Sequence, residues 1–120
     1  MARDHRNLQA FKLADELALT VYQHTIGFPT EERYGLCSQM RRASVSVPTN
    51  IVEGCARETD ADYRRFLVMA FGSLREVGYL IDLPSRLGYI NDTVAAQLHE
   101  QYDHAARVLS NLIKQVRTDK

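Results

Sequence analysis

Residues 59–81 read TDADYRRFLVMAFGSLREVGYLI, and this stretch decides the fold. Thr59 offers a hydroxyl to the free amides of a helix start, and Asp62 takes the acidic position of a capping box three residues later. Tyr63, Phe66, Leu67, Ala70, Leu74, Val77 and Ile81 then recur at helical spacing, forming one apolar stripe. Pro84 lacks an amide donor and predicts a kink or an early end. Gly88 stops the helix.

Towards the C-terminus, Asn91 is the next cap, with Asp92 in the first turn that follows it. Ala95, Leu98, Tyr102, Ala105, Leu109, Leu112 and Val116 alternate in steps of three and four, a strict heptad. Lys114, Arg117 and Lys120 suit the negative end of that helix dipole. Towards the N-terminus, Thr30 reads as the cap of a helix with Glu31 and Glu32 at its start. Its stripe is Leu36 or Cys37, Met40, Ala43 or Ser44, Val47 and Ile51. Pro48 interrupts this helix by removing the bond to the Ser44 carbonyl, but the stripe stays in phase, which predicts a kink rather than a break. A first helix spans about Leu8 to Thr25, with Leu8, Phe11, Ala14, Leu17 or Ala18, Val21, Tyr22 and Thr25 on one face. Gly27 and Pro29 end it.

No stretch competes as a strand, because the alternation at Ser44–Val47 is short and ends at Pro48. Three short connections favour antiparallel neighbours. The expected fold is all-α: a single domain over residues 1–120, an up-down-up-down four-helix bundle with its second helix kinked near Pro48.

Lys and Arg together number 15, as do Asp and Glu, and the pI is near 6.9. No global positive field draws the chain to nucleic acid or to an anionic membrane, so such contacts need a local patch. No apolar run is long enough for a bilayer, and the polar first seven residues lack a signal-peptide core. With two cysteines only, the expected compartment is the cytoplasm. Cys37 and Cys55 lie 18 residues apart, ~27 Å along a helix, too far for a disulfide, and read as buried thiols.

Phosphate loops and dinucleotide fingerprints are missing from the sequence. His99, Glu100 and His104 come near a zinc-protease motif, but the histidines stand five apart, about 140° round a helix, where the chemistry needs four. Glu100 and His104 read instead as a surface pair. Neither catalytic residues nor a cofactor or metal site is expected.

A polar constellation remains. Arg42, Ser46, Asn50, Glu53 and Arg57 share one face of the second helix, with Arg41 beside them. Arg64, Arg65, Gly72, Ser73, Arg75 and Glu76 cluster on the third. The chain has twelve Arg against three Lys, and Arg favours bidentate carboxylate and phosphate contacts. Solvated helix faces, a subunit interface and a phosphate-binding surface are all open readings. The short connection at 54–59 predicts that Arg41, Arg42, Asn50, Glu53, Arg57, Arg64, Arg65, Arg75 and Glu76 form one polar network, within the chain or across a subunit boundary. Tyr34, Phe71 and Tyr79 fall off the core stripes and are candidates for packing against a neighbour.

Residues 34–54, YGLCSQMRRASVSVPTNIVEG, then Arg57 and residues 63–76, YRRFLVMAFGSLRE, resemble a bacterial four-helix-bundle family encoded by intervening sequences of large-subunit ribosomal RNA genes. The accessory variability proteins of diversity-generating retroelements are similar. The stretch from Gln39 through Arg41, Arg42 and Ala43 to Asn50, Ile51, Glu53 and Gly54 carries most of the likeness. The resemblance implies a ring-like homopentamer without known catalytic activity. For the retroelement relatives it implies nucleic acid and a reverse transcriptase as partners. Two functions follow as expectations. One is a non-enzymatic homo-oligomeric scaffold that binds RNA or a ribonucleoprotein through a local Arg-rich surface. The other is a protein–protein interaction bundle in which the Arg and Glu residues serve subunit contacts alone.

Overall fold

The computed structural model describes residues 3–116. Four helices account for most of them: α1 (Gln9–Thr25), α2 (Leu36–Cys55), α3 (Asp60–Arg86) and α4 (Asp92–Gln115). No strand occurs among the described residues. Each helix packs on the next, and α1 closes the ring against α4, while the backbones of the diagonal pairs stay apart. The α2–α3 register is antiparallel: Gly54 lies against Tyr63 and Phe66, and Ser46 meets Ser73. Gly78 against Tyr102 and Asp82 against His99 give α3 and α4 the same antiparallel sense. The expected all-α bundle is therefore the observed one.

Local chemistry sets most helix ends. Thr59 accepts the Asp62 amide at 3.1 Å and Asn91 accepts the Val94 amide at 2.8 Å, as their positions predict. At the end of α3, Gly88 has φ +79°, the left-handed value that glycine adopts without strain. There the amides of Gly88 and Tyr89 reach back to the Ser85 and Pro84 carbonyls, closing a Schellman motif.

Two boundaries differ from expectation. Thr30 does not cap α2; residues Thr30–Glu32 form a 3-10 turn, and α2 begins at Leu36. The Arg33 and Gly35 amides are taken by the Thr30 and Glu32 carbonyls, so the α-helical ladder starts only after Gly35. Glu32 supplies the cap, accepting the Leu36 amide on Oε1 at 3.1 Å. Pro84 does not end α3 early either. It is buried in the last turn, where only the bond to the Leu80 carbonyl is forfeited. In α2 the helix runs unbroken through a buried Pro48.

The core combines the stripes of all four helices, with Leu17, Met40, Ile51, Leu67, Leu74, Ile81, Leu98 and Leu109 almost wholly buried. Burying each such side chain is worth roughly 1.5–3 kcal/mol. Tyr22, placed on the α1 stripe by its spacing, is exposed, and Ala10 is buried in that helix. On α4 the core position passes from Leu112 to Ile113. A 3.6-residue turn drifts ~20° per heptad, so a strict heptad slips off the core by its third repeat. Both cysteines are buried and free. Arg117 and Lys120 lie outside the described residues.

The two ends of the bundle are tied differently. At one end Tyr89 donates to Glu32 Oε2 at 2.9 Å, and its ring lies 5.3 Å from that of Phe28. At the other, Arg3 reaches from the N-terminal arm to the α2–α3 connection. It donates to the Arg57 carbonyl at 2.9 Å, pairs with Asp60 and covers the Tyr63 ring at 4.1 Å.

Candidate functional site

The Arg-bearing faces of α2 and α3 meet along the outer seam of their contact. Midway along it Ser46 and Ser73 share a hydroxyl hydrogen bond of 2.9 Å. Asn50 donates Nδ2 to the Ser46 carbonyl at 2.9 Å and to its hydroxyl at 3.1 Å. Small polar side chains here let the two helices approach while leaving a surface cleft of about 310 Å³, lined by Gln39, Arg42, Ala43, Ser46, Ser73 and Glu76. Arg42 and Glu76 are therefore on one cleft, as the antiparallel register predicts.

The nine flagged residues do not form one network within the protomer. They fall into separate contacts because successive Arg residues point to different neighbours. Arg41 turns to α1, donating Nε to Thr25 Oγ1 at 2.8 Å with its guanidinium 4.7 Å over the Tyr22 ring. Arg75 turns to α4, where Nη1 lies 3.4 Å from the Tyr102 hydroxyl. Arg57 and Arg65 both cover Phe66, at 4.8 and 4.6 Å, and Arg65 also pairs with Asp62 at 2.9 Å. Such cation–π contacts contribute about 0.5–1 kcal/mol each at exposed sites. Glu53 meets Arg57 only through its backbone carbonyl, at 3.2 Å. Among the described residues, Arg42, Arg64, Glu53 and Glu76 form no salt bridge.

Apolar groups are exposed beside these charges. Val45 and Val52 on α2 and Val68, Met69 and Tyr79 on α3 all reach solvent. A Cβ at Gly72 would meet nothing within 4 Å, so no contact inside the protomer calls for glycine there. Tyr34 is 88% exposed, whereas Phe71 packs partly against the core. Tyr34 belongs instead to a second, larger cleft between the end of α1 and the start of α2, which also holds Arg33, Arg41 and Arg42. Sequence periodicity gives no access to Arg33, because it lies in an irregular connection.

On the opposite side, His99 Nε2 pairs with Asp82 Oδ1 at 3.2 Å. No group of three or more His, Cys, Asp or Glu among the described residues could hold a metal ion. No described helix is long and apolar enough to cross a membrane.

Comparison with known proteins places this geometry. The model of the family described as 23S rRNA-intervening sequence protein matches residues 6–111. No curated protein matches the chain. A crystal structure of a protein with unknown function from the S23 ribosomal protein family, from Bacteroides thetaiotaomicron, is similar with a TM-score of 0.78. The likeness covers 88% of this chain and 99% of that one at 20% identity, which speaks to the fold.

Proposed function

The chain belongs to the 23S rRNA-intervening sequence protein family, and on that footing we propose that it is a non-enzymatic scaffold that self-assembles and binds RNA or a ribonucleoprotein. The outer α2–α3 face makes the subunit contact, and Arg guanidiniums engage the RNA. The resemblance to the ring-forming bundles supports five copies.

The observation that carries the reading is the cleft shared by Arg42 and Glu76. Neither side chain has an ion-pair partner among the described residues, and Val45, Val52 and Met69 are exposed on the same helices. Arg and Met are enriched in interfaces, and a charged group left single in one protomer gains a partner when a second copy supplies the opposite sign. The mixture of Arg and Glu on a neutral chain also favours the narrower reading, subunit contacts without RNA.

Glu53→Ala and Arg42→Ala, each assayed for oligomer mass by light scattering, melting temperature and RNA retention across a salt series, separate the readings. Loss of assembly supports the interface; removing one partner of a buried pair costs about 3–5 kcal/mol, against about 0–1 kcal/mol for an exposed one. Intact assembly with weakened, salt-sensitive RNA retention in Arg42→Ala assigns that Arg to phosphate. A wild-type protein of single-protomer mass at micromolar concentration overturns the scaffold.

A further inference from the structure

The larger cleft at the α1–α2 end has a chemistry distinct from the α2–α3 seam. It encloses about 540 Å³, and its lining holds three Arg and two Tyr but neither Asp nor Glu. On a chain whose formal charges cancel, this is a local concentration of positive charge. Of the two carboxylates in the connection, neither lines the cleft: Glu31 is exposed, and Glu32 is engaged, with Oε1 on the Leu36 amide and Oε2 on the Tyr89 hydroxyl.

The cleft is also partly organised in advance. Arg41 is held by Thr25 and lies over one face of the Tyr22 ring, so its guanidinium is fixed without a ligand. Tyr34 presents its ring to solvent at the rim, 88% exposed, where it gains no packing in the protomer. Thr30 and Ser38 add hydroxyls to the wall. A free aromatic face flanked by guanidiniums suits a strand whose bases are unstacked. A duplex hides its base faces, and an acidic peptide has none to offer.

We propose that this cleft binds unpaired RNA, stacking one base on Tyr34 and holding flanking phosphates on Arg33 and Arg41. The proposal rests on the RNA-binding reading above and names the form of RNA and the place it occupies.

The test uses the full chain and a fluorescein-labelled oligouridine of ~12 nucleotides, within the length range that single-strand sites cover. A duplex RNA of equal length and polyglutamate at equal ionic strength serve as competitors. Tyr34→Ala is expected to weaken oligouridine binding about tenfold, and Tyr34→Phe to restore it, because stacking needs the ring and not the hydroxyl. Arg33→Ala is expected to lower the slope of log affinity against log salt by about 0.7, the loss of one phosphate contact on a single strand. Lys114→Ala, remote on α4, leaves both unchanged. Wild-type binding that Tyr34→Ala and Arg33→Ala do not alter overturns the cleft and spares the RNA reading. Absence of wild-type binding to either RNA overturns both. Equal competition by duplex or polyglutamate overturns base stacking, and a drop in oligomer mass in Tyr34→Ala assigns the ring to a subunit contact instead.

Discussion

Gly54 of α2 lies so close to Phe66 of α3 that a Cβ added to it would stand 2.9 Å from the Phe66 Cβ and 3.4 Å from the Tyr63 carbonyl oxygen. Both atoms are fixed to the α3 backbone, so they can yield only if the helices separate. This explains the glycine that closes the 34–54 segment: it sets the spacing of α2 and α3 next to their connection.

Gly54→Ala is therefore expected to destabilise the bundle by about 2–3 kcal/mol, the upper part of the range for overpacking. Gly78→Ala meets the Tyr102 ring at 2.6 Å, but that is the outer end of a half-buried side chain that can swing towards solvent. Its expected cost is about 1 kcal/mol, offset in part by the better helix propensity of Ala. Denaturant unfolding of the two variants checks the order.

Gly72→Ala has the opposite expected sign. With open space around it, the substitution should stabilise the dissociated bundle by about 0.5–1 kcal/mol. On the proposed subunit face it should also lower the oligomer mass at equal concentration. Thermal melts and light scattering on one variant read the two effects separately.

Arg3 ties the N-terminal arm to the far connection through the Arg57 carbonyl, Asp60 and the Tyr63 ring. Arg3→Ala should cost about 1 kcal/mol, since the contact is partly exposed. Faster amide exchange should be confined to the 56–60 connection. Arg3→Lys should recover little, because an ammonium cannot serve carbonyl, carboxylate and ring together.

Burial pushes the Tyr63 hydroxyl up to about 12 from 10.0, with the Cys55 thiol beside it acting in the same direction. The folded state therefore holds this proton after the unfolded chain has released it. Its contribution is complete below pH 10 and is lost as the pH rises towards 12. The melting temperature should fall more steeply across that window in the wild type than in Tyr63→Phe.

Cys55 is likewise raised by burial, and Cys37 is buried against the Thr25 carbonyl at 3.7 Å. Both thiols should react with an aromatic disulfide reagent at the rate of unfolding and at once in denaturant. Fast labelling of either in the native protein would contradict the burial.

Periodicity and capping were readable from sequence because they are local. Thr59, Asn91 and the α2 and α3 stripes act within a turn or two of the chain, and each works as its position predicts. The start of α2 was not readable, because Glu32 caps it by reaching past a turn that Thr30 was expected to open. The exchange of Leu112 for Ile113 depends on how far α4 rotates against its neighbours before the heptad drifts off the core. The Arg set shows the same limit. Its residues lie on α2 and α3 as expected except Arg57, which falls in the connection beyond the end of α2 at Cys55, and sequence spacing fixes only an angle round one helix. Which neighbour Arg41, Arg65 and Arg75 meet depends on the packing of four helices, and that packing separates them towards Thr25, Phe66 and Tyr102. The cleft around Tyr34 lies wholly beyond sequence reading, because it exists only where an irregular connection folds Arg33 back beside Arg41 and Arg42.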